Sequence, residues 1–187
     1  MRVYLAGPEV FLPGALALGE AKKAICAAHG LTGVFPLDNA LDLTGLEPRF
    51  QGRAIYEANV RLIRGCDLLI ANLTPFRGIS ADVGTVFELG FMASLKRPVL
   101  AYSNSAASFK SRIAQYFQGR LHRRADGQLA DPDDLAVEEF DMLDNLMLHG
   151  ALAEGDLFLH QAAPGQELTD LTAFAEAVRA AASAIRI

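Results

Sequence analysis

The chain has 187 residues, 51% of them hydrophobic and 21% charged, enough apolar surface for a compact core and too apolar for a disordered polymer. Its 17 basic and 22 acidic residues leave a net charge of −5, which disfavours a nucleic-acid polymer as partner. No run of about 18 apolar residues is free of charge, so no segment reads as a membrane span.

Val3 to Ala6 reads as a first strand, ending at Gly7-Pro8. No basic stretch followed by a long apolar run precedes it, so the amino terminus carries no secretory signal and the expected location is the cytoplasm. Leu18, Ala21, Ile25 and Ala28 fall at helical spacing, with Gly30 as the stop. Gly33-Val34-Phe35 is a short strand closed by Pro36, and Ile55, Ala58, Leu62 and Ile63 mark a second helix ending at Gly65. Asp67 to Asn72 is apolar through its middle, as a strand covered on both faces should be. A loop then leads into a helix from about Ser80 to Lys96, and Pro98 to Tyr102 supplies the next strand. Beyond Ser103 the periodicity weakens. Residues 105–118 and 138–152 read as helical, and Leu168 to Ile185 as an amphipathic terminal helix. The alternation of strands and helices predicts one α/β domain over residues 1–187, built on a mostly parallel sheet of about five strands between helical layers.

Two features outside this frame have simple structural readings. Cys26 and Cys66 sit in apolar patterns away from any CxxC and are expected to be buried and reduced. The basic cluster Arg120-Leu121-His122-Arg123-Arg124 lacks interleaved aromatics and is soon followed by acidic residues, so it reads as solvated surface. The four histidines are scattered without metal-ligand spacing, and no metal site or cofactor is expected.

In a parallel α/β sheet ligands lie beyond the carboxyl ends of the strands. That rule selects Gly7-Pro8-Glu9, the loop from Asn72 to Gly78 with Phe76 in it, and Tyr102 to Asn104. The loop after Asn72 feeds a helix in which Glu88 is the only ionisable group between Val83 and Leu95. A helix apolar nearly all round is expected to be buried, where a lone carboxylate is costly without a partner. Gly84 lies one turn before Glu88 on the same face and leaves room for a ligand, although glycine disfavours a helix by about 1 kcal/mol. Ser80 reads as the helix N-cap and Asp82 as a first-turn acid. An acid favoured by the helix terminus is a complete structural account of Asp82. The same position stands at the mouth of a pocket whose floor is Glu88, and two carboxylates are the equipment of glycosyl transfer.

The run Asn72-Leu73-Thr74-Pro75-Phe76-Arg77-Gly78-Ile79-Ser80-Ala81-Asp82-Val83-Gly84-Thr85-Val86-Phe87-Glu88-Leu89-Gly90 resembles the signature of nucleoside 2-deoxyribosyltransferases. Val3 to Phe11 resembles that family's opening, and Asp144-Asn145-Leu146-Met147 is similar to its late asparagine motif. The resemblance implies a flavodoxin-like fold and a role for each matching position. Glu88 would be the nucleophile that forms a deoxyribosyl ester at C1′, Asp82 the acid at the leaving base, and Tyr4 the phenol that orients the nucleophile. Asn145 would bind the sugar in a neighbouring subunit's site, making the protein a homo-oligomer. Asn59 stands where some members carry an aspartate that recognises the ligand, and this departure leaves its role open. The implied partners are deoxynucleosides and free nucleobases. Two other readings remain: an N-glycoside hydrolase acting on deoxynucleosides or their 5′-monophosphates, and a non-catalytic nucleotide-binding module, which leaves Glu88 without a reason.

Overall fold

The computed structural model describes residues 1–184; Ile185, placed in the terminal helix from sequence, lies outside them. Five strands, β1 (Arg2–Ala6), β2 (Thr32–Val34), β3 (Leu68–Asn72), β4 (Val99–Ser103) and β7 (Leu157–Leu159), form a wholly parallel sheet in the order β2-β1-β3-β4-β7. Tyr4 is in register with Leu69 and Val34, and Leu69 with Val99. This is the flavodoxin-like order, in which the chain reverses its direction of winding between β1 and β3 and leaves a crevice beyond their carboxyl ends.

The two-residue period of the strands separates two cores. Val3, Leu5, Leu68, Ile70, Leu100 and Tyr102 face α1 (Ala15–Ala28) and α6 (Thr172–Ala184), packing on Cys26, Phe174 and Val178. Tyr4, Ala6, Leu69, Ala71, Val99 and Ala101 face the other way, toward α2 (Pro48–Arg64), α3 (Val83–Ser94) and the short α5 (Leu146–His149). Alternation along β1 therefore sends the Tyr4 phenol to the α3 side. Both cysteines are buried and free, as expected.

The connection from β4 to β7 holds α4 (Phe109–Tyr116), a small hairpin of β5 (His122–Arg123) and β6 (Leu129–Ala130), and α5. The basic cluster lies on this hairpin, where Arg123 pairs with Glu139 and Arg124 with Asp134 at the surface. The helix expected over 138–152 is reduced to Leu146–His149. Side chains there compete for the backbone: the Glu138 carboxylate accepts from Asn145 Nδ2 and the Leu146 N–H, Asn145 caps α5, and Asp141 takes a left-handed φ of 54°.

Two expectations for α3 are corrected. It starts at Val83, not near Ser80, because Asp82 is the N-cap and the Ser80 hydroxyl donates to Asp144 instead. Nor is it buried all round. Thr85, Leu89 and Met92 are buried, but Val83 is 84% exposed and Phe87 48%, so one apolar face stays partly exposed among the described residues.

A buried ion pair joins the turn after β1 to the helical layer behind it. Lys22 Nζ of α1 donates to Glu9 Oε1 at 2.8 Å, with both side chains essentially inaccessible. The same oxygen accepts from Tyr102 Oη at 2.6 Å and Asn72 Nδ2 at 3.0 Å, while the ammonium lies 4.7 Å from the Phe174 ring centroid. Burial opposes ionisation of Glu9, but the Lys22 charge and the hydrogen bonds from Lys22 and Tyr102 outweigh it and hold the carboxyl below its usual range. Lys22→Met strands the carboxylate and is expected to cost about 3–5 kcal/mol in urea unfolding at neutral pH. Adding Glu9→Gln should recover most of that loss; an equally large loss in the double variant would show that packing, not the unpaired charge, is responsible.

Candidate active site

The site forms where the sheet changes its winding. Asp82 Oδ2 accepts from the Thr85 N–H at 2.9 Å and from Thr85 Oγ1 at 3.1 Å, and this fixes the first turn of α3. From that start the helix carries Gly84 and, one turn further, Glu88 along a single face. Tyr4 reaches across from β1, and its Oη donates to Glu88 Oε1 at 2.6 Å. The short distance is that of a hydrogen bond to an ionised or strongly polarised acceptor.

The electrostatics of this pair favour a reactive carboxylate. Burial is the largest influence on Glu88 and raises its pKa; the Tyr4 hydrogen bond pulls it back, and the charges of Asp82 and Glu9 add to the rise, leaving it at about 7. Burial, together with the adjacent Glu88 charge, pushes the Tyr4 phenol far above its usual range, so it stays protonated and remains a donor.

Glu88 and Asp82 border a cavity of about 310 Å³, at the small end of the range of small-molecule sites. Gly7, Val10 and Phe11 come from the turn after β1, Pro36 and Leu37 from the turn after β2, Ile55 and Asn59 from α2, and Gly84 and Thr85 from α3. A second hollow of about 300 Å³ shares Asn59, Gly84 and Glu88 and continues over Tyr56 and Phe87. Mostly apolar walls thus enclose two carboxylates. Gly7 is needed for closeness: its backbone is extended, but a Cβ there would lie 1.8 Å from Glu9 Oε2 and 3.0 Å from the Asn72 Cβ.

Of the residues expected at the site, Gly7, Asn59, Asp82, Gly84 and Glu88 meet around the cavity, and Tyr4 supports Glu88 from behind. Pro8 and Glu9 are buried in the 3₁₀ turn Pro8–Phe11, beneath the wall. Asn72 lies deeper still, donating to Glu9 and accepting from the Thr74 N–H. Phe76 stacks on Phe11 with ring centroids 5.4 Å apart, and the Arg77 guanidinium lies over both rings, so Phe76 braces a wall residue from outside. Asn145 is not among the cavity's lining residues; its side chain caps α5 and donates to Glu138. Sequence reasoning missed Val10, Phe11, Pro36, Leu37, Ile55 and Thr85 as lining residues. The carboxyl-end rule, extended to the second strand, points to Pro36 and Leu37.

The raised Glu88 pKa has a consequence for stability. Between the ordinary value of 4.5 and about 7 the folded chain holds a proton that the unfolded chain has lost, so stability falls as pH rises through that window. Glu88→Gln removes the effect and still accepts from Tyr4. It should stabilise the protein at pH 8 by something on the order of 2–3 kcal/mol and give no gain at pH 4, measured by urea unfolding at both pH values. A gain independent of pH would mean that Glu88 is not held against its ionisation.

Residues 3–147 match the family model described as nucleoside 2-deoxyribosyltransferase. The chain is 31% identical over 158 residues to an uncharacterized protein of Schizosaccharomyces pombe, a match covering 79% of this chain and 75% of that one. Among solved structures, a 2-deoxyribosyltransferase from Leishmania mexicana aligns with a TM-score of 0.64 at 30% identity, over 95% of this chain and 96% of its own. A protein from Enterococcus faecalis shares the fold at a TM-score of 0.56 and 16% identity, over 97% and 98% of the two chains. With its two carboxylates and buried phenol set on this sheet, the chain belongs to the nucleoside 2-deoxyribosyltransferase family.

Proposed function

We propose that the protein exchanges purine or pyrimidine bases on 2′-deoxyribose, with Glu88 as the nucleophile. The observation that carries this reading is the 2.6 Å bond from Tyr4 to a carboxylate poised near neutrality at the base of the cavity. A Glu88 oxygen attacks C1′, the C1′–N bond breaks, and its electron pair leaves with the base. Asp82, at the start of the same helix, supplies a proton or hydrogen bond to that base. A nitrogen of the incoming base, giving up its proton to Asp82, then attacks C1′ and expels the Glu88 carboxylate. Two displacements at one carbon restore the original stereochemistry, and the covalent ester divides one hard step into two. Without a 2′-hydroxyl to withdraw electrons, the sugar develops positive charge more readily, which suits deoxyribosides.

The position of Asn145 supports a site shared between subunits. Its side chain is not among the residues lining its own cavity and accepts from the N–H of the exposed Met147, while the exposed Phe87 and Tyr56 border the hollow that continues that cavity. Paired between two copies, these apolar faces would be covered, and Asn145 of one copy would approach the sugar in the other's site. The protein then acts as a homo-oligomer, with the site completed across the interface.

Deoxyinosine mixed with adenine should yield deoxyadenosine, whereas inosine should not react. Glu88→Ala should lower the rate by several orders of magnitude while the protein stays folded. Retention of more than about a tenth of the activity would remove Glu88 from the role. Incubation with a 2-fluoro-deoxynucleoside should leave the adduct on the Glu88 peptide, and release of free deoxyribose in place of exchange would favour hydrolysis.

Subunit sharing has its own test. Glu88→Ala and Asn145→Ala proteins, each inactive, are dissociated, mixed and reassembled. Some activity should return, because one interface then pairs an intact Glu88 with an intact Asn145. No recovery in assemblies shown to contain both chains would put Asn145 in its own subunit's site or in none.

A further inference from the structure

Asp144 is a buried carboxylate that the transfer chemistry above does not use. It is 1% exposed, yet each of its oxygens accepts two hydrogen bonds. Oδ1 accepts from the Ser80 hydroxyl and from the Asn145 N–H at 2.8 Å. Oδ2 accepts from the Ala81 N–H at 2.9 Å and from Arg112 Nη2 at 3.1 Å. Arg112, itself 7% exposed, is pinned in turn: Nε donates to the Ile79 carbonyl and Nη1 to the Ala107 carbonyl, each at 2.6 Å. Neither side chain lines the cavity. What they hold is the approach to α3, since Ile79, Ser80 and Ala81 are the three residues before Asp82.

We propose that Asp144, locked by Arg112, is a positioning residue that fixes the Asp82 end of α3 and ties it to the segment carrying Asn145. The catalytic part of this proposal rests on the transfer reading given above. Asp82 has no other long-range anchor among the described residues: its own bonds go to Thr85 one turn on, so the direction in which it enters the cavity is set by the chain just before it. A fully satisfied carboxylate suits that task, because any displacement of Ser80 or Ala81 leaves a buried group unpaired. Asp144→Asn keeps the volume but turns one acceptor oxygen into a donor, which then faces another donor.

The test combines Asp144→Asn with Asp82→Asn, and uses Ser80→Ala, which removes a single bond, as the variant safest for folding. Asp144→Asn should reduce kcat about 10- to 100-fold for bases that leave poorly, with KM changed by less than about threefold, as small misplacements of a reacting group do. Ser80→Ala should act in the same direction and less. Activated bases that leave without a proton should be largely spared, and Asp144→Asn should add little on the Asp82→Asn background. An equal loss for every leaving group, or full additivity of the two changes, would overturn the positioning role. Amide exchange gives a readout that needs no activity. In Asp144→Asn the Ala81, Thr85 and Asn145 N–H groups should exchange at least about tenfold faster while β3 and β4 stay protected. Unchanged exchange at Thr85 overturns the brace itself. A wild-type protein that exchanges no bases overturns the transfer reading instead, and leaves the amide result to decide the brace.

Discussion

The hydrogen bond between Tyr4 and Glu88 joins the two halves of the site to the logic of the fold. A largely desolvated carboxylate at the edge of a cavity is stabilised by a partner, and the partner here comes from the first strand. Parallel pairing fixes the height of Tyr4 beside Leu69, and side-chain alternation fixes its direction toward α3. The phenol stays protonated throughout the physiological range, so it restrains the carboxylate without competing for its proton. Its donation offsets part of the desolvation that raises Glu88, which leaves a group both basic and ionisable near neutrality. A weaker restraint would produce a mostly protonated acid, and a stronger one a poor nucleophile.

Much of this arrangement is legible in the amino-acid sequence, for reasons that differ among elements. β3 is a continuous apolar run and α6 an amphipathic stripe, so each announces its own environment. Glu88 stands out as a single charge in an apolar helix. Other parts depend on contacts that no local pattern encodes. The three partners of Glu9 lie 13, 63 and 93 residues away, so a residue that reads as a loop acid is in fact the centre of a buried network. The segment before α5 has helical periodicity, but Glu138, Asp144 and Asn145 divert its backbone bonds to side chains. Composition also says that α3 is apolar without saying what covers it, and among the described residues Phe87, packed on Tyr56 and Phe91, stays half exposed. Sequence periodicity describes which face of an element is apolar better than what covers that face.

The two carboxylates of the site are supported in different ways. Glu88 is held from the sheet by a phenol in a packed core, whereas Asp82 depends on a loop fastened by Asp144 and Arg112. Glu88 is thus held as firmly as the sheet, and Asp82 only as firmly as a connection anchored at one buried point. That division fits the proposed transfer, in which C1′ must be met at a fixed place while bases of different outline come and go beside it.

The wall facing Glu88 is made of Phe11, Leu37 and Ile55, each about half exposed and none the hub of a polar network. The floor beneath Gly7 is the reverse, a glycine pressed against a carboxylate that four elements share. Mutational tolerance is therefore divided by geometry. Natural drift or laboratory selection can reshape the wall at small thermodynamic penalty and so alter which bases fit, while changes to the floor endanger folding before they reach chemistry. Under the proposed transfer chemistry, the choice of base is free to diversify around a sugar-handling centre that is not.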